Sequence, residues 1–279
     1  MQSTYCLIPS GYCLGEQSRM NFSYETYQRY LEPGFIPFDS LQLAEETEKI
    51  VCRGDRRKYT KFICTRMYGG IVTGYTCGCC LRCIFCWVHQ CRDFPEKYGR
   101  FYSPEEVFRQ LSRVGRKSQV LQLRVSGAEP TIGKARLLGL LDKVEDLPFR
   151  LFILETNGIL LGADPDYAKQ FACFKKVHTR ISIKAGTPKA FTKKTGALSE
   201  SFELPFKGIV NLIRAGASFH VAAMSAHSRI VDGQERQSLV DRLASIDPSL
   251  VDNLEEEVVS PYHNTLERLR HAGLKLEWD

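Results

Sequence analysis

Six of the eleven cysteines crowd into one short segment, Thr76–Cys91, which reads TCGCCLRCIFCWVHQC. Thiolates are the ligands that soft metals and iron–sulfur clusters take, and two spacings overlap here. Cys79, Cys83 and Cys86 form C-x3-C-x2-C. Three thiolates on one tight loop can each ligate one iron of a cubane, leaving the fourth iron open to an incoming molecule, as a catalytic site requires. Cys77, Cys80, Cys83 and Cys86 form C-x2-C-x2-C-x2-C. That even spacing suits a ferredoxin-like run or a zinc knuckle, with an electron-transfer or structural role. An odd cysteine total concentrated in one place argues against a disulfide framework and for a metal site.

Three downstream segments carry polar or small residues at the ends of strand-like runs. Val120–Pro130 reads VLQLRVSGAEP, Leu154–Gly158 reads LETNG, and Ile181–Gly196 reads ISIKAGTPKAFTKKTG. Small residues at Gly127 and Ala128 let backbone approach a ligand, and a carboxylate such as Glu129 can take an ammonium group in a charge-assisted contact. Asn157-Gly158 is also an ordinary turn signal, and Lys184 could equally serve a structural ion pair.

The cysteine loop resembles the signature of the radical S-adenosylmethionine (SAM) superfamily, C-x3-C-x-Φ-C, with Phe85 as the aromatic residue before the last cysteine. Gly127–Pro130 is similar to the superfamily's G-G-E-P motif, with Ala128 for the second glycine. LETNG and ISIKAG resemble the D-T-N-G and D-L-K segments of glycyl-radical-enzyme activases, with Glu155 and Ser182 in place of the two Asp residues. Phe85-Cys86-Trp87 is similar to the F-C-W step of tRNA wyosine-base synthases, so the subfamily stays open. The resemblance implies that Cys79, Cys83 and Cys86 bind a [4Fe–4S] cluster. It also implies that Phe85, Gly127, Ala128 and Glu129, with Thr156, Asn157, Ser182 and Lys184, surround SAM. The reaction implied is reductive cleavage of SAM to a 5′-deoxyadenosyl radical that abstracts a hydrogen atom from a protein, RNA or metabolite. A low-potential electron donor such as flavodoxin or ferredoxin is the implied partner. The rival is a non-catalytic iron–sulfur or zinc module built on the even spacing.

The elements that must position these residues alternate along the chain. Strands are expected at Gly70–Tyr75, Val120–Val125, Arg150–Leu154, Thr179–Ile183, Ser218–Ala222 and Leu274–Trp278. Helices are expected between them at Pro104–Val114, Gly133–Val144, Asp166–Phe171, Phe206–Ala215 and Gln237–Ala244, with Tyr262–His271 before the last strand. In the first helix Ser103 is the N-cap, and Val107, Leu111 and Val114 share a face. Ser40–Lys49 is a further helix capped by Asp39, with Gln42 placed for a capping box. Such alternation predicts parallel strands with right-handed crossovers. Six strands predict a partial (β/α)6 barrel over residues 68–279, with an N-terminal extension over residues 1–67 and functional groups at the C-terminal strand ends.

The composition, 43% hydrophobic and 25% charged over 279 residues, is that of a globular chain able to bury a large core. The start lacks a basic segment followed by an apolar run, so no secretory leader is expected. No apolar run reaches membrane-spanning length, and the expected location is the cytoplasm. The net charge of +6 permits an acidic partner without requiring one. The densest basic stretch, Arg53–Lys61, is expected as a solvated face, with contact to RNA phosphates as its alternative. Cys6, Cys13, Cys52 and Cys64 are expected as small reduced residues, with an auxiliary cluster as the alternative.

Overall fold

Asp39 starts the first helix, α1 (Ser40–Val51), by accepting the Leu41 N–H at 2.7 Å. The Gln42 side chain turns forward to Glu46 at 3.0 Å, so the expected capping box lacks its returning arm. The remaining elements are β1 (Cys52–Arg53), β2 (Arg56–Thr65), β3 (Ile71–Thr76), β4 (Arg100–Tyr102), α2 (Pro104–Ser118), β5 (Gln122–Gly127) and α3 (Lys134–Glu145). They continue as β6 (Leu151–Thr156), α4 (Ile159–Ala163), α5 (Pro165–Gln170), β7 (Val177–Ile183), α6 (Pro188–Thr195) and α7 (Glu203–Ala215). β8 (Phe219–Met224), α8 (Gly233–Ile246), α9 (Ser249–Asp252), β9 (Glu255–Glu257) and α10 (His263–His271) complete the chain. This is a computed structural model, and it describes residues 24–145, 149–225 and 227–275.

α2 begins on a full capping box between Ser103 and Glu106, with Pro104 in its first turn. Its expected stripe faces inward: Val107 and Leu111 are buried, each burial contributing about 1.5–3 kcal/mol.

Among the described residues nine strands form one sheet, ordered β1-β2-β3-β5-β6-β7-β8-β9, with β4 paired to β2. Every pairing from β3 to β9 is parallel. The path ends at β1 and β9 without closing, giving an open partial barrel of mostly parallel strands. The sheet also continues through residue 67, because β2 pairs antiparallel with β3. No helix among the described residues is long and apolar enough to cross a membrane.

The sixth parallel strand is not Leu274–Trp278. Leu274 and Lys275 lie outside any strand, residues 276–279 lie outside the described residues, and β9 at Glu255–Glu257 takes the place. Three consecutive glutamates have no strand signature. They pair here because the sheet's inner face offers them cations: Arg180 holds Glu255 and Glu257, each at 2.8 Å.

That inner face carries most of the sheet's charged and polar side chains. Register aligns Thr73 with Arg124, and Glu155 with Arg180 and His220. Arg124 pairs with Glu155 at 2.8 Å. The opposite face, with Val72, Leu123, Phe152, Leu154, Ile181 and Val221, is buried in the core. Parallel strands covered on both sides usually read as continuous apolar runs. These alternate because one side lines a site.

At the N-terminal ends of these strands His178 Nε2 lies 2.7 Å from His220 Nδ1, and His220 Nε2 lies 2.9 Å from Glu255. Burial pulls the His178 pKa below its usual 6.5, and the neighbouring His220 adds to the effect. The folded state therefore resists a proton that the unfolded chain accepts. Stability is expected to be full above pH 6.5 and to fall as pH drops toward the depressed folded value. Urea titrations at pH 7.5 and 5.5 check this: His178→Gln should show a smaller loss between the two than the unaltered chain.

Candidate active site at the C-terminal strand ends

Because β3, β5, β6 and β7 run parallel, the loops after them leave one edge of the sheet. These loops are the cysteine loop after Thr76, Gly127–Pro130, Asn157-Gly158 and Lys184–Gly186.

The cysteine loop is held from several sides. Gly78 has φ +75°, and a Cβ there would meet Thr47 of α1 at 2.4 Å, so only glycine lets α1 press onto the loop. The Thr47 hydroxyl reaches the Cys79 carbonyl at 3.4 Å. The N–H groups of Arg82 and Ile84 donate to the carbonyls of Thr195 and Lys194 at the end of α6.

The thiols within the loop face different surroundings. Cys77 and Cys80 are 0% exposed, whereas Cys79 and Cys83 keep 8% and 7%, and Cys86 is half-buried. Cys77 lies against Cys91 and 3.7 Å from the Tyr98 carbonyl. Cys80 accepts from Asn157 Nδ2 at 3.3 Å. A hydrogen bond from Cys80 brings the Cys79 thiol down to about 7, and the Leu81 N–H donates to it at 3.4 Å. Burial pushes the Cys83 thiol up to about 12; Lys184 opposes this, while Cys86 and Cys79 add to it. Cys79, Cys86 and Lys184 are therefore near enough to Cys83 to act on it, although among the described residues no three thiols close into a compact metal cage.

Phe85 is buried in the core beside the loop, and the adjacent Trp87 is 47% exposed, edge-on to Tyr75. Gly127 adopts φ +104°, and a Cβ there would meet the Thr76 backbone nitrogen at 3.1 Å. Its smallness seats β5 against the start of the cysteine loop. Gly127 and Ala128 are both half-buried.

Glu129 is held by several of the protein's own donors. It is 1% exposed, and Oε1 accepts from the Thr131 N–H at 3.1 Å, the Thr131 hydroxyl at 2.6 Å and the Thr156 hydroxyl at 2.7 Å. Oε2 accepts the Asn157 N–H at 2.8 Å, and the Glu129 N–H donates to the Gly78 carbonyl at 2.9 Å. Through these donors Glu129 ties three strand-end loops together, with a single protein donor on Oε2. Thr156 is spent on the same bracket. Asn157 is the exception, because its amide reaches the thiols of Cys79 and Cys80.

Ser182 and Lys184 hydrogen-bond each other, and the Ser182 hydroxyl donates to Glu257 at 2.6 Å. Lys184 lies 3.9 Å from the same carboxylate. β9 therefore supplies a carboxylate beside the position where the activase pattern has Asp.

The basic stretch is a solvated face only in part: Arg53, Arg56 and Lys61 are exposed, while Arg57 and Lys58 turn inward. Arg57 is 1% exposed and donates to the carbonyls of Glu129 at 2.7 Å and Cys77 at 3.4 Å. Lys58 is buried and donates to the Pro95 and Glu96 carbonyls at 2.7 and 3.0 Å. As part of β2 these cations serve backbone oxygens that would otherwise be buried without a partner. Cys52 lies opposite Arg57, and Cys64 lies seven residues farther along β2, about 24 Å at strand rise. The two do not share an auxiliary cluster; Cys6 and Cys13 lie outside the described residues.

Sequence reasoning missed Arg92, Asp93 and Arg268. Arg92 donates to the Cys83 carbonyl at 2.7 Å, and Arg268 from α10 donates to the Cys86 carbonyl at 2.6 Å. Asp93 accepts from both guanidiniums. Burial raises the Asp93 carboxyl, but Arg92 and Arg268 outweigh it and hold the group below the usual carboxylate range. Nothing local marks Arg268, which reaches the loop only through the fold.

Three thiols that keep some exposure, on a loop whose carbonyls are held by the buried guanidiniums of Arg82, Arg92 and Arg268, form a donor set suited to an anionic cluster. A profile of the radical SAM superfamily matches residues 74–225. No curated protein sequence matches the chain. Among solved structures, Streptococcus suis SuiB bound to the precursor peptide SuiA superposes with a TM-score of 0.55 at 18% identity, over 75% of this chain and 42% of that one. SuiB bound to S-adenosylmethionine gives 0.54 at 17% identity, over 72% and 41%. Native anSMEcpe with bound AdoMet gives 0.51 at 16% identity, over 68% and 53%. The chain thus spans about half the length, or less, of these structures. Their likeness is one of fold, a partial barrel with an open edge. With the superfamily profile covering most of that barrel, the chain belongs to the radical SAM superfamily, whose enzymes use SAM and a [4Fe–4S] cluster.

Proposed function

We propose that Cys79, Cys83 and Cys86 are the three cluster ligands and that the chain cleaves SAM reductively to start hydrogen-atom abstraction from its substrate. The observation that carries this is the difference among the thiols: these three keep exposure, while Cys77 and Cys80 have none. When bound, the cluster supplies one electron to the sulfonium of SAM and an iron site for its amino and carboxylate groups.

The protein's own residues supply position and charge. Lys184, near Cys83 and held by Ser182 and Glu257, would offer its ammonium to the SAM carboxylate. Asn157 orients the Cys79 side of the loop. The half-buried Gly127-Ala128 backbone offers polar groups at the strand edge, and Glu129 keeps that edge in place. The electron donor is a low-potential protein such as flavodoxin or ferredoxin. The substrate is a protein, RNA or metabolite; the buried Arg57 and Lys58 give no support to RNA.

The test is anaerobic incubation of the reconstituted chain with SAM and a reductant. The expected result is 5′-deoxyadenosine, with deuterium passing into it from a labelled substrate. Methylthioadenosine alone, or intact SAM beside a reduced cluster, would count against the proposal.

A further inference from the structure

Each of the three proposed ligand residues gives its carbonyl to a buried guanidinium. Arg82 Nη1 donates to Cys79 at 2.8 Å, Arg92 Nη1 to Cys83 at 2.7 Å, and Arg268 Nη1 to Cys86 at 2.6 Å. Arg57 stands behind the loop on the Cys77 and Glu129 carbonyls. These four arginines are only 1–2% exposed. The buried carboxylates among them are Asp93 and Glu129, which are 0% and 1% exposed. Four cations against two anions leave a surplus of two positive charges where water cannot screen them. Among the described residues Arg82 Nη2 and Arg268 Nε have no hydrogen-bond acceptor, while the other guanidinium nitrogens of these two residues also donate to the Gln28, Leu81, Val88 and His89 carbonyls. Carbonyl acceptors satisfy most of these donors but do not cancel the net charge, and burying uncancelled charge is costly.

We propose that Arg82, Arg92 and Arg268 form a cationic collar that raises the reduction potential of the cluster and so eases entry of the electron that SAM cleavage consumes. The proposal rests on Cys79, Cys83 and Cys86 being the ligands. A cubane held by three thiolates is anionic, and one-electron reduction makes it more so. Fixed positive charge in a desolvated shell therefore favours the reduced form, and potentials of such clusters follow net charge and burial. The guanidiniums do not touch the reacting atoms. They act through the ligand residues' carbonyls and through charge, and are positioning residues. Arg268 also makes the collar depend on α10, far from the loop in sequence.

Two substitutions change the charge in opposite directions with little change of shape. Arg268→Gln removes a cation and keeps an amide for the Cys86 carbonyl. Asp93→Asn removes an anion. Each is reconstituted in the full chain and titrated by reductant without SAM, following the EPR signal of the reduced cluster. Arg268→Gln is expected to shift the one-electron equilibrium about tenfold toward the oxidised form, a potential about 59 mV lower. Asp93→Asn is expected to shift it the other way, and Arg268→Lys, which keeps the charge, to move it less than Arg268→Gln. Shifts of the same sign in Arg268→Gln and Asp93→Asn, or no shift in either, would overturn the collar. Loss of the cluster from both would do so too, because charge tuning leaves the ligands in place. If only Arg268→Gln fails to load, Asp93→Asn decides alone. An unaltered chain that forms no cluster, or keeps it in Cys79→Ala, instead defeats the ligand assignment.

Discussion

Cys79→Ala, Cys83→Ala and Cys86→Ala are each expected to lower 5′-deoxyadenosine formation by more than about a hundredfold, a loss that even changes outside the ligand shell can reach. Cys77→Ala and Cys80→Ala should retain the cluster. Cys77 is enclosed with Cys91 and Tyr98 on the side of the loop that Arg57 and Lys58 face, and Cys80 is enclosed under Asn157. Their truncation should cost on the order of 1 kcal/mol of stability and leave the coordination intact. Iron content and 5′-deoxyadenosine yield, measured on the same anaerobic preparations, separate the two spacings. Iron lost from Cys80→Ala but kept in Cys79→Ala would favour the even spacing and a non-catalytic module.

Glu129→Ala is expected to destabilise the chain by roughly 3 kcal/mol, because it strands donors from Thr131, Thr156 and the Asn157 backbone that a buried carboxylate now satisfies. Glu129→Gln should recover only part of this, since its amide nitrogen faces donors rather than acceptors. SAM binding should weaken in proportion to the disorder of the strand-end loops, not through a lost contact. Urea denaturation paired with SAM titration distinguishes the two. A Glu129→Gln chain of unaltered stability that binds SAM poorly would return the carboxylate to direct contact.

The cysteine loop and the alternation of strands and helices were legible because each is written locally. C-x3-C-x2-C needs only spacing, and α2 announces itself through Ser103, Glu106 and the Val107–Leu111 stripe. β9 was not legible, because Glu255–Glu257 becomes a strand only where Arg180 and His220 await its carboxylates. Position at a strand end brought Glu129 to the correct edge of the sheet. Its partners Thr156 and Asn157, on the neighbouring strand end, make it a brace of that edge. The run Arg56-Arg57-Lys58 shows how a charge pattern misleads. As part of β2 it turns Arg57 and Lys58 toward loop carbonyls, while Arg56 pairs with Glu106 at the surface. Which side of a strand is covered depends on residues distant in sequence, and periodicity within the strand does not reveal it.

A cluster held by Cys79, Cys83 and Cys86 alone would leave one iron open to SAM. The most direct measurement of this is the EPR spectrum of the reduced, reconstituted chain before and after SAM is added, under conditions too cold for turnover. A change in the g-values, with about four irons per chain and the same change in Cys80→Ala, is the predicted result. A spectrum indifferent to SAM, or a colourless zinc protein with no signal, would contradict it.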